Sequence, residues 1–169
     1  MRIVISDSSC LIDLRKAGLL AALLKLPYEF LIPDTLFEDE LLQFSKSQKR
    51  TLLEGGLKVM ELPAAGVLRA GKITGALPGL SIHDGFAFAL AERNPGCILL
   101  TGDGDLRRLA KRHAIEFHGV LWVIDEIHRN GLAGVRVLHA ALVLFRDDTT
   151  VRLPPIAVKA ALRRYAALL

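Results

Sequence analysis

Four carboxylates in this sequence stand where they could act together. Asp7 directly follows the apolar run Arg2–Ser6 (RIVIS), and Asp103 directly follows CILLTG. Glu40 lies on the helix expected after FLIP. Asp84 lies in the first turn of a helix expected to begin at Ser81. Carboxylates repel one another, so a convergent set is unfavourable unless cations or protons neutralise it. Oxygen-only donors suit hard divalent cations, Mg2+ or Mn2+. Each acid also has a purely structural explanation. Asp7 could cap a helix starting near Ser9. SIHD at 81–84 is a capping-box-like start, with Asp favoured by the helix dipole. Asp103 and Asp105 in TGDGDL could cap the next helix, and Glu40 could be a solvated helix residue.

Glu40 can be weighed against its neighbours. Leu36, Phe37, Leu41 and Phe44 define the apolar face of a helix read over Thr35–Ser45. At about 100° per residue, Glu40 falls inside that arc and Asp39 points away. An inward carboxylate is costly unless it is paired or metal-bound. A one-residue shift of the helix start would exchange Glu40 for Glu38, which stays the alternate.

The elements that must position these acids alternate between short apolar runs and helical periods. Strands are expected at Arg2–Ser6, Phe30–Ile32, Leu57–Leu62, Cys97–Leu100 and Val120–Ile124. Helices are expected over Ser9–Leu26 (broken near Gly18), Thr35–Ser45, Gly66–Gly71, Ser81–Glu92, Asp105–His113, Val135–Phe145 and Ile156–Leu168. Such alternation means an α/β domain with a mostly parallel sheet. Reactive groups in these sheets gather beyond the carboxyl ends of the strands. The four acids satisfy that positional rule.

Length and composition agree. The chain has 169 residues, 51% of them hydrophobic and 24% charged. That is one domain, able to bury roughly two-thirds of its unfolded surface without a disulfide or metal staple. Only Cys10 and Cys97 are present, both in apolar surroundings, which suits a reducing cytosol. No apolar run approaches the roughly 18 residues of a membrane span. MRIVIS reaches Asp7 too soon for a signal-peptide core, so a cytoplasmic location is expected. The net charge is +4. Residues 1–100 balance 11 basic against 11 acidic side chains, while residues 101–169 hold 11 against 7. A basic C-terminal third is compatible with a polyanion, although charge alone does not distinguish that from a solvated face.

The sequence carries no motif for other chemistry. TGDGDL lacks the glycine and closing Glu of an EF-hand loop. No glycine-rich phosphate loop follows the first strand, and the five histidines show no zinc spacing. No histidine is placed to activate Ser8, Ser9 or Cys10.

The chain resembles the PIN-domain family of VapC-type toxin ribonucleases. The resemblance rests on VISDSSCLIDL, IPDTLFEDEL, LSIHDGFAFALAE and ILLTGDGDLRRLA, in the family's order. EFHGVLWVIDEIHRNGL resembles the closing strand and helix of a PIN subgroup. The resemblance covers residues 1–132, and the remaining 133–169 read as a C-terminal helical extension packed on the same domain. It implies a three-layer α/β/α sandwich with a five-stranded sheet in the order 3-2-1-4-5. It implies a four-acid site at Asp7, Glu40, Asp84 and Asp103 binding Mg2+ or Mn2+. Ser9 matches the small polar residue two after the first acid, and Thr101 the hydroxyl residue two before the last. FEDEL departs from the pattern by offering Glu38, Asp39 and Glu40 where one Glu is usual. The activity implied is metal-dependent hydrolysis of RNA phosphodiesters, in a homodimer held inactive by a cognate antitoxin. Arg107, Arg108, Lys111 and Arg112, on the helix after Asp103, are candidates to hold RNA phosphates.

Two other classes stay open. A PIN-like module could bind nucleic acid or protein without catalysis. A receiver-type phosphoryl-transfer domain would need a Lys after the last core strand, where Asp125 and Glu126 stand instead. The Leu/Ala/Val-rich tail from Val135 could close its own core or form a docking strip for a second protomer or an antitoxin.

Overall fold

A computed structural model describes residues 1–169. In chain order the elements are β1 (Arg2–Ser6), α1 (Ser8–Lys16), α2 (Leu20–Leu24), β2 (Tyr28–Pro33), α3 (Asp34–Asp39), α4 (Lys46–Glu54) and β3 (Lys58–Met60). They continue with α5 (Ala64–Ala76), α6 (Ile82–Glu92), β4 (Ile98–Leu100), α7 (Gly104–Arg112), β5 (Glu116–His118), α8 (Val120–Arg129), α9 (Val135–Asp147) and α10 (Pro155–Ala166).

The five strands form one sheet in the order β3-β2-β1-β4-β5. Every pairing is parallel, with Val4 beside Phe30 on one side and Ile98 on the other. Val4, Ile5, Leu99 and Leu100 are buried at the centre. Parallel crossovers are right-handed, so connections running toward β3 and toward β5 put helices on opposite faces. Accordingly α6 lies against β1, β2 and β4 with α5 outside it, while α1, α2 and α8 contact one another. The result is a three-layer α/β/α sandwich, as expected. The chain leaves β1 for β2 on one side and returns as β4 on the other. Beyond the carboxyl ends of β1 and β4 is therefore the crevice in which such sheets place their sites.

Several helix starts follow from local chemistry. Asp7, Ser45, Ser81 and Asp103 are N-caps whose side chains accept a backbone N–H. Gly18 ends the α1 region with φ +69°, where the sequence suggested a break. Gly85 lets α6 meet α5 closely: a Cβ there would lie 2.9 Å from the Ala70 carbonyl oxygen.

Three expectations need correction. Val120–Ile124 is helix, the first half of α8, and the fifth strand is the preceding Glu116–His118. A short apolar run does not reveal its own period. Extended to Ile127, it buries Val120, Val123, Ile124 and Ile127 at helical spacing. Gly119 and Val120 follow the true last strand, so a receiver-type Lys is again missing. The helix read over Thr35–Ser45 stops at Asp39; Leu41 and Phe44 are buried from a turn instead. A further helix, α4, then begins at the Ser45–Gln48 capping box, a signal present in the sequence. The helix placed over Gly66–Gly71 is in fact α5, twice as long, starting just after Pro63.

The tail is continuous with the core. Leu138, Leu142, Phe145, Ala161 and Tyr165 belong to the same buried cluster as Val4 and Phe88. Cys10 and Cys97 are free and buried. No helix is long and apolar enough to cross a membrane.

Candidate active site

Asp7 leaves β1 at the sheet's carboxyl edge and caps α1. Its backbone N–H donates to the Leu100 carbonyl at 2.9 Å, which ties the two central strands together at that point. The residue is only 5% exposed. Oδ1 accepts from the Ser9 hydroxyl at 2.8 Å and the Cys10 amide at 3.3 Å, and Oδ2 accepts from the Thr101 hydroxyl. Burial pushes the Asp7 pKa up to about 6 from 3.8, although the hydrogen bonds from Thr101 and Ser9 oppose the shift.

Thr101 is fully buried beyond β4, and its own amide donates to the His118 carbonyl at 2.9 Å. While donating to Asp7, its hydroxyl accepts the Asp103 amide at 3.0 Å. Asp103 caps α7 by accepting the Leu106 amide at 2.9 Å through Oδ1. Asp84 sits in a capping box with Ser81: its Oδ2 accepts the Ser81 amide at 2.8 Å, and its own amide donates to the Ser81 hydroxyl at 3.1 Å. Burial raises the Asp84 pKa, and the Asp103 and Glu40 charges add to the rise. Glu40 ends α3, where Oε1 accepts the Ser8 hydroxyl at 2.8 Å.

Helix capping and convergence on one cleft therefore coexist in these acids. Capping occupies Oδ1 of Asp103 and Oδ2 of Asp84, and the other oxygen of each is left without a donor from the chain. Asp7, Glu40, Asp84 and Asp103 line one cleft of about 510 Å3, together with Ser8, Ser9 and Gly102. Glu40 is half-buried there; Glu38 is exposed and not part of the lining. Asp39 is exposed and lies 3.2 Å from His83 Nε2, while Glu40 Oε2 is 4.0 Å from His83 Nδ1.

The basic residues of α7 are placed differently. None of Arg107, Arg108, Lys111 and Arg112 lines the cleft. Arg107 donates to the Thr101 carbonyl at 2.9 Å and packs against Gly119, where a side chain would collide with its guanidinium. Arg108 pairs with Asp105, and Arg108 and Arg112 border a small pocket beside Pro78. Lys111 is exposed.

Sequence reasoning missed Asp13, Lys16, Thr150 and Arg152, which also line the cleft. For Asp13 and Lys16 a signal existed: with Ser9 they follow an i, i+4, i+7 spacing on the helix that Asp7 caps. Burial, with the Asp148 charge adding, lifts the Asp13 pKa to about 6 against the pull of Lys16. Thr150 and Arg152 arrive from a distant part of the chain and had no local signal.

The donor set fits a hard divalent cation: all oxygen, mutually repulsive, and partly desolvated. No three of these side chains close on a single point. Mg2+ commonly binds through one or two carboxylates and keeps its waters, which suits acids spread along a cleft. Cys10 also borders the cleft, but burial raises its thiol pKa, so it is no nucleophile.

Comparison with known proteins agrees with the fold. A family model, DUF3368, described as a PIN domain, matches residues 3–166. No curated protein matches the chain.

Proposed function

This chain belongs to the PIN-domain family, and from that premise we propose that it is a Mg2+- or Mn2+-dependent endoribonuclease with Asp7, Glu40, Asp84 and Asp103 as its metal-binding acids. PIN domains are generally nucleases that use divalent metal ions. The observation that carries the finer reading is the convergence of three helix-capping carboxylates, with Glu40, on one cleft at the β1/β4 edge.

A bound divalent ion supplies Lewis acidity to a phosphoryl oxygen and to the attacking water. The chain's residues do the rest. Asp7 and Asp103, at the ends of the two central strands, are the firmest donors. Ser9 and Thr101 hold Asp7 in one orientation and favour its charged form. Asp84 completes the set from the first turn of α6. Glu40, held by Ser8, faces the same space and can accept a proton from the attacking water. Water oxygen bonds to phosphorus, the phosphorus–oxygen bond to the departing ribose breaks, and a phosphomonoester and a free hydroxyl result.

The test is cleavage of single-stranded RNA by purified protein. Mn2+ should permit it and EDTA abolish it, and Asp103→Asn should reduce it by at least about a hundredfold, given several kcal/mol from the ion. An Asp103→Asn protein that cleaves at the wild-type rate would overturn the reading. Binding of RNA without cleavage in any metal would make the protein a non-catalytic PIN module.

The same reading makes the chain the toxin of a type II toxin–antitoxin pair, a homodimer with a cognate antitoxin. What supports a partner surface is the exposed apolar set Val137, Ile156, Leu168 and Leu169 in the tail. Growth arrest on expression, relieved by Asp7→Asn and by the product of a neighbouring gene, is the expected result. Normal growth with active nuclease in the cell would remove the toxin assignment.

A further inference from the structure

The cleft poses an electrostatic problem for the substrate just proposed. Asp7, Asp13, Glu40, Asp84 and Asp103 line it, so a phosphodiester anion must enter a space walled by acids. Even with a divalent ion bound, the chain needs a cation of its own to draw in the phosphate. The α7 cations do not reach this wall. Two other cations do, Lys16 and Arg152.

Lys16 is committed elsewhere. Its ammonium lies 3.5 Å from Asp148 and donates to the Thr150 hydroxyl. Asp148 also accepts from the Thr150 amide at 2.8 Å and from its hydroxyl. These bonds tie the connection between α9 and α10 to α1. The connection turns at Asp148–Val151, where the Val151 amide donates to the Asp148 carbonyl at 3.1 Å. Thr149 and Val151 face an apolar groove between α9 and α10, whereas Thr150 and Arg152 face the acidic cleft. Val151 is buried and anchors the segment. Arg152 is exposed, and no ion pair or hydrogen bond within the chain holds it, despite five carboxylates around the same cleft.

We propose that Arg152 is the substrate-binding cation of this cleft, its guanidinium gripping the non-bridging oxygens of the RNA phosphodiester, and that Lys16 is a positioning residue that holds the Asp148–Leu153 segment in place. The planar fork of Arg matches two phosphate oxygens and carries charge at any working pH. The inference rests on the ribonuclease reading of the cleft.

The experiment measures kcat, KM and binding with an end-labelled single-stranded oligoribonucleotide. Cleavage is followed in Mn2+, and binding is followed in Ca2+ over a salt series. The proteins are wild type, Arg152→Ala, Arg152→Lys and Arg136→Ala, the last an exposed arginine on α9 away from the cleft. Arg152→Ala should lower kcat/KM by roughly ten- to a hundredfold, the range for a hydrogen bond to a charged group. It should also reduce the slope of log affinity against log salt by about one. Arg152→Lys should restore the slope but only part of kcat/KM, and Arg136→Ala should match wild type. Arg152→Ala within twofold of wild type in both assays would overturn the proposal while leaving the nuclease intact. If wild type binds RNA but cleaves none in any metal, the ribonuclease reading falls, and the salt slope of Arg152→Ala still decides the role of Arg152. If wild type neither binds nor cleaves RNA, both are wrong.

Discussion

The Thr101 hydroxyl donates to the buried carboxylate of Asp7, so the residue that follows β4 orients the acid that follows β1. Removing that hydroxyl with a side chain of nearly the same shape tests its role. The bond favours the charged form of Asp7, so Thr101→Val should move the Asp7 pKa above about 6. A carboxyl NMR titration of the metal-free protein should show that rise. An unshifted Asp7 titration would show that the Thr101 bond does not govern its charge.

Asp7 also predicts how the metal-free protein responds to pH. Its folded pKa of about 6 lies above the ordinary 3.8, so the folded state binds the proton first. Stability from this group is therefore lowest above pH about 6 and rises as the pH falls toward about 4. Asp7→Asn removes the buried charge and should raise Tm at neutral pH, by an effect on the order of 1–3 kcal/mol. It should also flatten the rise toward acid and abolish metal-dependent cleavage. Thermal melts in EDTA across that pH range check the sign; a destabilised, still pH-sensitive Asp7→Asn protein would contradict it.

Ser81→Ala should separate the two roles of Asp84. Loss of the N-cap costs about 1 kcal/mol, read as a lower Tm. It also releases the Asp84 amide from Ser81 and loosens the first turn that carries the Asp84 carboxylate, while the backbone N–H that holds Oδ2 remains in alanine. Cleavage should fall several-fold at saturating RNA, with metal affinity weakened. Unchanged metal dependence would mean Asp84 needs no capping box to serve the site.

The α7 cations should divide by their contacts. Arg107→Ala frees the Thr101 carbonyl and should lower kcat with little change in the salt dependence of binding. Reversing Arg108, Lys111 and Arg112 to Glu should instead weaken RNA binding and reduce its salt slope, leaving kcat near wild type. If that triple variant binds and cleaves as wild type does, the outer face of α7 is solvated and nothing more.

Deleting Pro154–Leu169 should give an insoluble or unfolded product. The reason is Tyr165, which is 2% exposed, packs in the common core and donates its hydroxyl to Asp125 at 2.8 Å. Tyr165→Ala alone should cost about 3–5 kcal/mol. A folded and active deletion product would instead assign the last helix to docking.

How much of this was legible in the sequence follows the range of the forces involved. Capping and strand ends are local: Asp7 after RIVIS, the Ser81–Asp84 pair and Asp103 after CILLTG each declare themselves within four residues. Period decides more weakly, so Val120–Ile124 read as strand until Ile127 extended it into a helix. Likewise the run from Thr35 to Ser45 hid a break, because Leu41 and Phe44 are buried whether helical or not. The meeting of the acids is not local. Asp7 and Asp103 are neighbours because β1 and β4 pair in a parallel sheet, which sends both carboxyl ends to one edge. That Glu40 and not Glu38 joins them depends on where α3 ends, and Ser8 across the cleft holds it there. Lys16, Thr150 and Arg152 meet only because α9 and α10 return to close the core, carrying the chain between them back over α1. Local hydrogen bonds can be read from spacing along the chain; contacts bought by core burial between distant segments exist only once the whole chain has packed.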